Sequence, residues 1–493
     1  MQYDVVVVGA GNAAHAAAVS AHEHGAERVL MLEKAPEELR GGNTHYSGGL
    51  FRFAFESPED LLPIVPNIEE QVPGFTQNIK PYGAAQFRAD LDRVTEGSSD
   101  PELSEALISR SYDTVRWMVE QGIVMGPATD LSAVKYEGAV RWPQGAVIRA
   151  VGIGIGLSRM WFEVARDRGI ELRYGTGARS LTLDDSGAIS GVVVNDADGL
   201  HEIETGAVIL GCGGFEANPE WRARYLGRPW DTARVRGTRY NNGDGLRMAL
   251  EVGALPYGQW SGSHGTPISA DAPLYGDRRL TDQTNRLSYP FGVILNTEGD
   301  RFIDEGEDFH LLTYAKTGGA VLRQPGGIGY QIFDSKVFEA LEPRYRTSDP
   351  IVADTLEELI AQLPLDQETA NRTLEEFNTA VVGGGTFDPG VRDGLKTDGL
   401  EPEKTNWAQR LDSPPYRAYP TTGGITFTFG GLRINTDSEV LSTDWTPIPG
   451  LYTCGEMVGG LFHYNYPAGS GLMSGAVFGH AAGRSAATHV RGG

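Results

Sequence analysis

Cysteine is almost absent from this chain, since Cys212 and Cys454 are the only two among 493 residues. Each lies in an apolar stretch that contains glycine, VILGCGG or LYTCGEM, and such stretches are typical of interior sheet. We therefore expect both to be small buried residues and not part of a disulfide framework. The sequence shows no cysteine spacing of a zinc or iron–sulfur centre, so no metal site is predicted.

Long hydrophobic runs and positive charge are also scarce. No stretch approaches the roughly 18 apolar residues of a membrane-spanning helix, and no charged leader precedes the first apolar run. The 42 lysines and arginines face 65 aspartates and glutamates, which gives a formal net charge of −23. Such a surface repels nucleic acid and anionic lipid, and it admits an anionic substrate only through a local basic pocket. We expect a cytoplasmic protein that binds neither nucleic acid nor membrane.

The chain is long enough for more than one ordinary domain, and 40% of its residues are hydrophobic. The β-branched run at 2–8, the alanine-rich stretch at 12–24 and the run RVLMLE predict a strand–helix–strand unit. The C-terminal segment returns to a strand, a glycine-rich loop and a small-residue helix. We therefore assign residues 1–262 and 411–493 to one nucleotide-binding α/β domain, and residues 263–410, with amphipathic helical patterns, to an inserted α+β cap.

The first turn of this unit carries a dinucleotide-binding fingerprint, Gly9-Ala10-Gly11-Asn12-Ala13-Ala14. Gly9 makes the tight turn, Gly11 lets the backbone approach a pyrophosphate, and Ala14 lets helix and strand pack. The helix N-terminus then faces the phosphate charge. Glu33 closes the second strand at the spacing expected of an acid that accepts hydrogen bonds from ribose hydroxyls.

A second glycine-rich loop follows the acid, from Gly41 to Gly49, and a Gly455-Glu456 pair lies near the C-terminus. Together these resemble the flavoprotein-subunit family of succinate dehydrogenases and fumarate reductases, over nearly the whole chain. The resemblance implies a Rossmann-like FAD-binding domain of the glutathione-reductase type, in which the loop lies along the cofactor and Glu456 holds the ribityl chain. The implied cofactor-binding residues are Gly9, Gly11, Asn12, Ala13, Ala14, Glu33, Lys34, Gly41, Gly42, Asn43, Thr44, Ser47, Gly48, Gly49, Gly213, Asp244, Gly455, Glu456, Gly469, Ser470, Gly471 and Leu472.

The attachment of the flavin is expected to be non-covalent. Membrane succinate dehydrogenases of this family attach it through a histidine placed seven residues before the last glycine of the second loop. Counting back from Gly49 gives Gly42, and His45 is out of register. The resemblance therefore implies that His45 is a polar loop residue and that FAD is bound without a covalent link.

Several long motifs resemble tricarballylate dehydrogenases within this family, among them RGTRYNNGDGLRMALE, GDRFIDEG and NYPAGSGLM. In relatives, an arginine or a tyrosine that removes or donates the substrate proton follows the G-D-R-F-I-D-E segment. Here His310 stands at or beside that position, so we predict that His310 is the base. The alternative interpretation is that His310 is a surface histidine that follows an acidic run.

The loop that begins at Tyr466 resembles the Y-P-G loop of 3-ketosteroid dehydrogenases, where a tyrosine hydroxyl and a backbone N–H hold a developing oxyanion. Tyr466 is predicted to do so here, with simple packing as the alternative. His264 matches a histidine that orients the substrate in fumarate reductases, and Tyr289 is expected to line the same cavity. The histidine and arginine with which fumarate reductases clamp the substrate carboxylate are absent here. Thr426 or Phe427 stands at the position of the histidine, and Tyr466 or Pro467 stands at that of the arginine.

Arg286 and Arg52 are the cations that remain for a substrate carboxylate, and Tyr464 is a further candidate base beside Tyr289.

Three functions compete on this evidence. The first is a dehydrogenase that forms an α,β-unsaturated carboxylate or ketone, similar to tricarballylate dehydrogenase, by proton abstraction and hydride transfer to the flavin. The second is a fumarate-type reductase of an activated C=C bond, and the third is a non-catalytic flavin electron-transfer subunit. The expected partners are a small carbonyl or carboxylate substrate and a separate electron acceptor, which could be oxygen, a quinone or an iron–sulfur protein.

Overall fold

The computed structural model describes residues 2–143, 145–383 and 385–492, and its fold is mixed α/β. The helices are α1 (Asn12–Glu23), α2 (Gly42–His45), α3 (Ile68–Gln71), α4 (Phe75–Asn78), α5 (Ala84–Val94), α6 (Pro101–Gln121), α7 (Ile153–Asp167), α8 (Pro219–Trp221), α9 (Asp244–Glu251), α10 (Tyr314–Leu322), α11 (Leu356–Ala361), α12 (Gln367–Ala380) and α13 (Ser470–Gly492). The strands are β1 (Tyr3–Val8), β2 (Val29–Leu32), β3 (Leu50–Phe51), β4 (Met125–Pro127), β5 (Val134–Tyr136), β6 (Ala139–Arg141), β7 (Ile148–Ala150), β8 (Glu171–Arg173), β9 (Gly177–Leu183), β10 (Ile189–Asp196), β11 (Gly199–Leu210), β12 (Arg234–Val235), β13 (Pro256–Tyr257), β14 (Ser263–Ser269), β15 (Val293–Asn296), β16 (Ile328–Phe333), β17 (Ile351–Ala353), β18 (Tyr416–Thr428), β19 (Gly431–Leu432), β20 (Glu439–Leu441) and β21 (Pro447–Thr453).

The first large sheet has the order β20-β21-β11-β1-β2-β8, and β9 and β10 extend it from β11. From β21 to β8 all neighbouring strands are parallel. The valine-rich β1 is buried along nearly its whole length, which is expected of a parallel strand covered on both faces. The alanine-rich helix α1 and the helix α13, which is rich in alanine and glycine, pack against each other beside this sheet. The first and last segments of the chain therefore lie in one layer.

The second large sheet has the order β12-β18-β16-β15, with β14 and β17 also paired to β18. Helix α10 packs on β14 and β18. The long strand β18 and the short β12 both lie outside the range 263–410 that the sequence assigns to a cap, so hydrogen bonding extends this sheet past those boundaries. The domain limits stay a prediction, and their end residues 1 and 493 lie outside the described residues.

The two sheets position the cleft that is described next. Strand β18 carries Thr426–Thr428 from the second sheet towards the carboxyl ends of β1 and β2 in the first. Within the parts of the chain that the structure describes, none of the helices is long and apolar enough to cross a membrane.

Candidate functional site

A deep cleft joins the carboxyl ends of β1 and β2 to the end of β18. Its empty space, including the open mouth, is about 1580 Å³. Residues from both large sheets line it, including Val8 of β1, Leu32 of β2 and Thr426 of β18.

The turn after β1 forms a close-fitting cradle at one end of the cleft. Gly9 has φ +114°, and a Cβ added there would lie 2.4 Å from the carbonyl oxygen of Gly211. A Cβ on Gly11 would lie 3.2 Å from Oγ1 of Thr44. Helix α1 begins directly afterwards at Asn12, so its N-terminal dipole points at this end of the cleft. Bare backbone at a helix N-terminus is what a pyrophosphate requires, and the site fits FAD here.

Glu33 follows β2 in the cleft wall and is buried. Its carboxylate accepts hydrogen bonds from the backbone N–H groups of Ala35 (2.9 Å) and Gly41 (3.3 Å). Burial raises the pKa of the Glu33 carboxyl, and the two N–H groups oppose that rise. A carboxylate has about four acceptor positions, so Glu33 retains capacity for ribose hydroxyls.

Lys34 and Asp244 were predicted separately as cofactor-binding residues, and the structure joins them. Nζ of Lys34 lies 2.5 Å from Oδ2 of Asp244, and both residues line the cleft. Each side chain is about one third exposed, at 33% and 30%. The pair therefore links the end of β2 to the start of α9 beside the adenosine end of the cleft.

The side chain of Asn43 braces the second glycine-rich loop. Its amide nitrogen donates to Oε1 of Glu216 and to the carbonyl oxygen of Thr426, both at 2.7 Å. Its amide oxygen accepts a hydrogen bond from the N–H of Thr238 (2.9 Å). Asn43 thus ties together three segments that are distant in sequence and line one cleft.

Two carboxyl groups, those of Glu216 and Glu456, form a pair beside this loop, and Glu456 lines the cleft. Oε1 of Glu456 accepts hydrogen bonds from the N–H (2.8 Å) and the hydroxyl (3.2 Å) of Thr428. Burial, reinforced by the charge of Glu456, raises the pKa of Glu216 well above its usual range, and burial also raises the pKa of Glu456. Both carboxyl groups are therefore harder to ionise than a carboxyl in water. The sequence indicated Glu456 through its Gly-Glu motif but missed Glu216, which carries no comparable local pattern.

The predicted cofactor residues divide into two groups. Those that line the cleft are Gly9, Gly11, Asn12, Ala13, Glu33, Lys34, Gly42, Asn43, Thr44, Ser47, Gly213, Asp244, Gly455, Glu456, Gly471 and Leu472. Those that do not line it are Ala14, Gly41, Gly48, Gly49, Gly469 and Ser470.

An aromatic and polar cluster closes the far end of the cleft. The hydroxyl oxygens of Tyr314 and Tyr466 lie 2.5 Å apart, and Tyr466 lines the cleft. The ring of His264 meets the edges of both tyrosines, with centroids at 4.7 and 4.8 Å, and stacks on Phe427 at 5.2 Å. We call Tyr314 and Tyr466 the tyrosine pair.

Burial sets the protonation states in this cluster. His264 is fully buried, and neither ring nitrogen has a hydrogen-bond partner among the described residues. Burial, and then the charge of Arg236, lower the pKa of His264 well below its usual range, so the imidazole is neutral. Burial raises the pKa of Tyr466 and raises that of Tyr314 further, while Arg236 opposes both rises. Resting at neutral pH, the tyrosine pair keeps both protons.

Two loops dock onto each other to place the tyrosine pair. The amide nitrogen of Asn465 donates to the carbonyl oxygen of Leu312 (2.7 Å), and the N–H of Ala468 donates to that of Leu311 (2.9 Å). Arg52 supports the second loop, because its Nε donates to the carbonyl oxygen of Ala468 (2.8 Å). Tyr314, which begins α10, thereby meets Tyr466.

His310 is not brought into this cluster. It lies on the short turn His310–Leu312, and its Nε2 is 3.3 Å from Oε1 of Glu342. Both side chains line a second cavity, whose walls share no residue with the cleft. Burial, and then the charge of Arg344, lower the pKa of His310 to about 3. The predicted role of His310 as the base therefore has no support in this geometry.

The other sequence candidates are occupied or distant. The hydroxyl of Tyr289 is buried against Thr313 (2.5 Å) and Thr317 (3.3 Å) and does not line the cleft. Tyr464 is 50% exposed. The guanidinium of Arg286 donates to backbone carbonyl oxygens, including that of Asn285 at 2.8 Å. Neither Arg286 nor Arg52 lines the cleft.

The chain resembles known FAD-binding proteins over nearly its whole length. Residues 4–472 match the family model described as FAD binding domain. The chain is 28% identical over 498 residues to "Fumarate reductase (cytochrome)" of Shewanella frigidimarina, covering 99% of this chain and 77% of that protein. It is 27% identical over 575 residues to "3-oxosteroid 1-dehydrogenase" of Mycobacterium tuberculosis, covering 98% and 97%.

The fold has a solved counterpart as well. A crystal structure of 3-ketosteroid delta1-dehydrogenase from Sterolibacterium denitrificans superposes with a TM-score of 0.75 at 21% identity and covers 99% of each chain. The sequence-based assignment to the fumarate reductase and succinate dehydrogenase flavoproteins is thereby confirmed, as are FAD and the enzyme class. The chain belongs to the FAD binding domain family and is a FAD-dependent oxidoreductase that acts on CH–CH bonds.

Proposed function

We propose that the protein is a dehydrogenase that introduces a C=C bond next to a carbonyl or carboxyl group of a small molecule. The observation that carries this proposal is the tyrosine pair, with hydroxyl oxygens 2.5 Å apart at the closed end of the cleft. Desaturation next to a carbonyl needs a base for the α-proton and a hydrogen-bond donor for the oxygen that gains charge. FAD, when bound, supplies the acceptor for the hydride that leaves the β-carbon.

The tyrosine pair offers both groups when one of its two protons has left. The remaining O–H polarises the substrate oxygen, while the phenolate oxygen beside it accepts the proton of the adjacent α-carbon. Two hydroxyls this close titrate as one unit, so the negative charge belongs to the pair. The neutral imidazole of His264 packs against both rings and holds their orientation. In this scheme Tyr314 takes the place that the sequence gave to His310.

The architecture proposed for this chemistry is a Rossmann-like FAD domain of the glutathione-reductase type with a cap. The parallel sheet with α1 and α13 supports the first part. The second sheet, whose strand β18 reaches the cleft and which α10 covers, supports the cap. The cap shields the tyrosine pair from bulk water, and Tyr314 is 6% and Tyr466 7% exposed.

Reduction of an activated C=C bond is the second candidate function. It is favoured by relatives named as reductases, among them the fumarate reductase of Shewanella frigidimarina. The same tyrosine pair, fully protonated, would then donate the proton. A non-catalytic electron-transfer subunit is disfavoured, because such a protein has no need of a buried polar cluster above its cofactor.

Anaerobic flavin absorbance distinguishes the two directions. We expect oxidised protein to bleach with a saturated member of a panel that pairs succinate with fumarate, tricarballylate with aconitate, and 3-ketosteroids with their 1-dehydro products. Bleaching reports oxidation whatever the later electron acceptor is. Chemically reduced protein that is reoxidised by the unsaturated partners, with no bleaching by the saturated ones, would favour the reductase. A tricarballylate-like specificity predicts bleaching by tricarballylate.

The flavin is expected to dissociate when the protein is denatured, because Gly42 offers no side chain for attachment. Acid or heat precipitation should leave a colourless pellet and release FAD quantitatively into the supernatant, as measured by absorbance and mass spectrometry. Yellow colour that persists in the washed, denatured pellet contradicts this expectation.

A further inference from the structure

The aromatic end of the cleft contains a cation that neither the fingerprint nor the active-site motifs explain. Arg236 directly follows β12 and lines the cleft. Its Nε donates to Oγ1 of Thr426 (3.0 Å), and a terminal nitrogen reaches the carbonyl oxygen of Tyr46 (3.4 Å). Both partners are neutral. Across the described parts of the chain, no carboxylate forms an ion pair with Arg236.

This guanidinium acts on the tyrosine pair and on His264. Its charge lowers the pKa of all three groups. Its partner Thr426 directly precedes Phe427, the ring on which His264 stacks, so Arg236 lies beside this cluster. His264 is neutral because it is buried, so it contributes no positive charge there. Arg236 is thus a cation with unused hydrogen-bond donors in the same cleft that Phe427, Phe429 and Phe462 line.

The other arginines considered for an anion are committed elsewhere. Arg52 donates to the carbonyl oxygen of Ala468 and to the hydroxyl of Tyr82 (2.7 Å), and Arg286 donates to backbone carbonyl oxygens. Thr426, at one of the two positions that match the clamping histidine of fumarate reductases, here accepts the hydrogen bond that holds Arg236. The cation therefore reaches the clamp position from a different segment of the chain.

We propose that Arg236 binds a carboxylate of the substrate, so that the substrate class is an organic acid and not a neutral ketone. This inference rests on the proposed function, because it places the acid beside the tyrosine pair. A planar guanidinium with free donors matches a carboxylate in shape and charge. In a protein with a net charge of −23, an acid can enter only where a local cation overrides the surface field.

Binding of malonate to the oxidised, FAD-loaded protein tests the proposal without turnover. Malonate has a single CH₂ group between its carboxylates and no CH–CH bond to oxidise, and malonamide is its neutral counterpart. We expect malonate to perturb the flavin spectrum at concentrations at least tenfold lower than malonamide. Arg236→Gln should raise the malonate Kd by roughly 10- to 100-fold, which is the usual effect of losing a charge-assisted hydrogen bond. The malonate Kd of Arg236→Lys should lie between those of the wild type and Arg236→Gln.

Arg239→Gln is the matched control. Arg239 lies three residues along the same segment but is exposed and does not line the cleft, so the variant makes the same charge change away from the site. It should bind malonate as the wild type does, and FAD content should be equal in all variants. The proposal is overturned if Arg236→Gln leaves the malonate Kd unchanged or if malonamide binds as well as malonate. It is also overturned if wild type binds no malonate, or if Arg236→Gln alone loses FAD, which would make Arg236 a cofactor ligand.

The two proposals can fail separately. Unchanged malonate binding in Arg236→Gln, together with flavin reduction that depends on the tyrosine pair, would refute only the carboxylate assignment. Suppose instead that Arg236→Gln loses malonate binding as expected, but the wild type exchanges electrons with no member of the substrate panel in either direction. That result would refute only the proposed function.

Discussion

Tyr314→Phe and Tyr466→Phe are each expected to slow anaerobic flavin reduction on the order of a hundredfold or more, while FAD stays bound. Each substitution deletes one oxygen of the tyrosine pair and leaves its ring in the packing around His264. Because the two hydroxyls work as one unit, the double variant should be little slower than either single one. Stopped-flow bleaching with the best substrate of the panel measures all three rates.

The pH dependence of that rate follows from the raised pKa values. Burial raises the pKa of both hydroxyls, so the singly ionised pair becomes populated only as pH rises above neutral. The reduction rate should therefore increase with pH on the alkaline side. A base at His310, whose pKa is lowered to about 3, would be neutral throughout and would give a flat profile above neutral pH.

Two control variants separate the pair from its neighbours. Tyr289→Phe removes a buried hydroxyl that binds Thr313 and Thr317 outside the cleft, so the reduction rate should stay near that of the wild type. His310→Ala should retain most of the rate as well. Loss of activity in His310→Ala, combined with a change below about threefold in both tyrosine variants, would restore His310 as the base and leave the tyrosines as packing residues.

Arg301→Met is expected to destabilise the protein by about 3–5 kcal/mol, because it leaves a buried carboxylate without its partner. Nη2 of Arg301 lies 2.6 Å from Oε2 of Glu305, with 4% and 0% of the side chains exposed. Oε1 of Glu305 also accepts the N–H of Ile294 (3.0 Å), which fixes the strand β15. Thermal unfolding followed by circular dichroism should show a Tm several degrees lower.

Acid pH should reduce this penalty. Burial opposes ionisation of Glu305, but the charges of Arg301 and Lys404 and the hydrogen bonds from Arg301 and Ile294 together outweigh it and lower the pKa of Glu305 in the wild type. That contribution to stability is present above the unfolded pKa of about 4.3 and is lost as pH falls through the folded value. The difference between wild type and Arg301→Met should therefore be larger at pH 7 than near pH 4.

Lys316→Met is the matched comparison for this ion pair. Lys316 pairs with Glu307 at 2.7 Å on the same part of the chain, but the two side chains are 44% and 48% exposed. Surface pairs contribute about 0–1 kcal/mol, so this variant should unfold close to the wild type. Equal destabilisation by both substitutions would mean that burial does not set the strength of the Arg301 pair.

The sequence by itself determined the cofactor end of this protein. The turn and the helix start at residues 9–14 directly follow strand β1 in one contiguous segment. The residue types of that segment therefore indicate its backbone conformation. Glu33 follows at the end of the next strand for the same reason. Parallel pairing of β1 with β2 then brings both to the cleft.

Only the tertiary structure decided the reacting end. His310 and Tyr314 are four residues apart, and the sequence alone does not state which of them meets Tyr466. Docking of residues 465–468 onto Leu311 and Leu312 directs Tyr314 to Tyr466 and leaves His310 against Glu342. Arg236 reaches Thr426, which is 190 residues away, in the same manner. Hydrogen bonds between distant loops set these directions, and no local spacing encodes them.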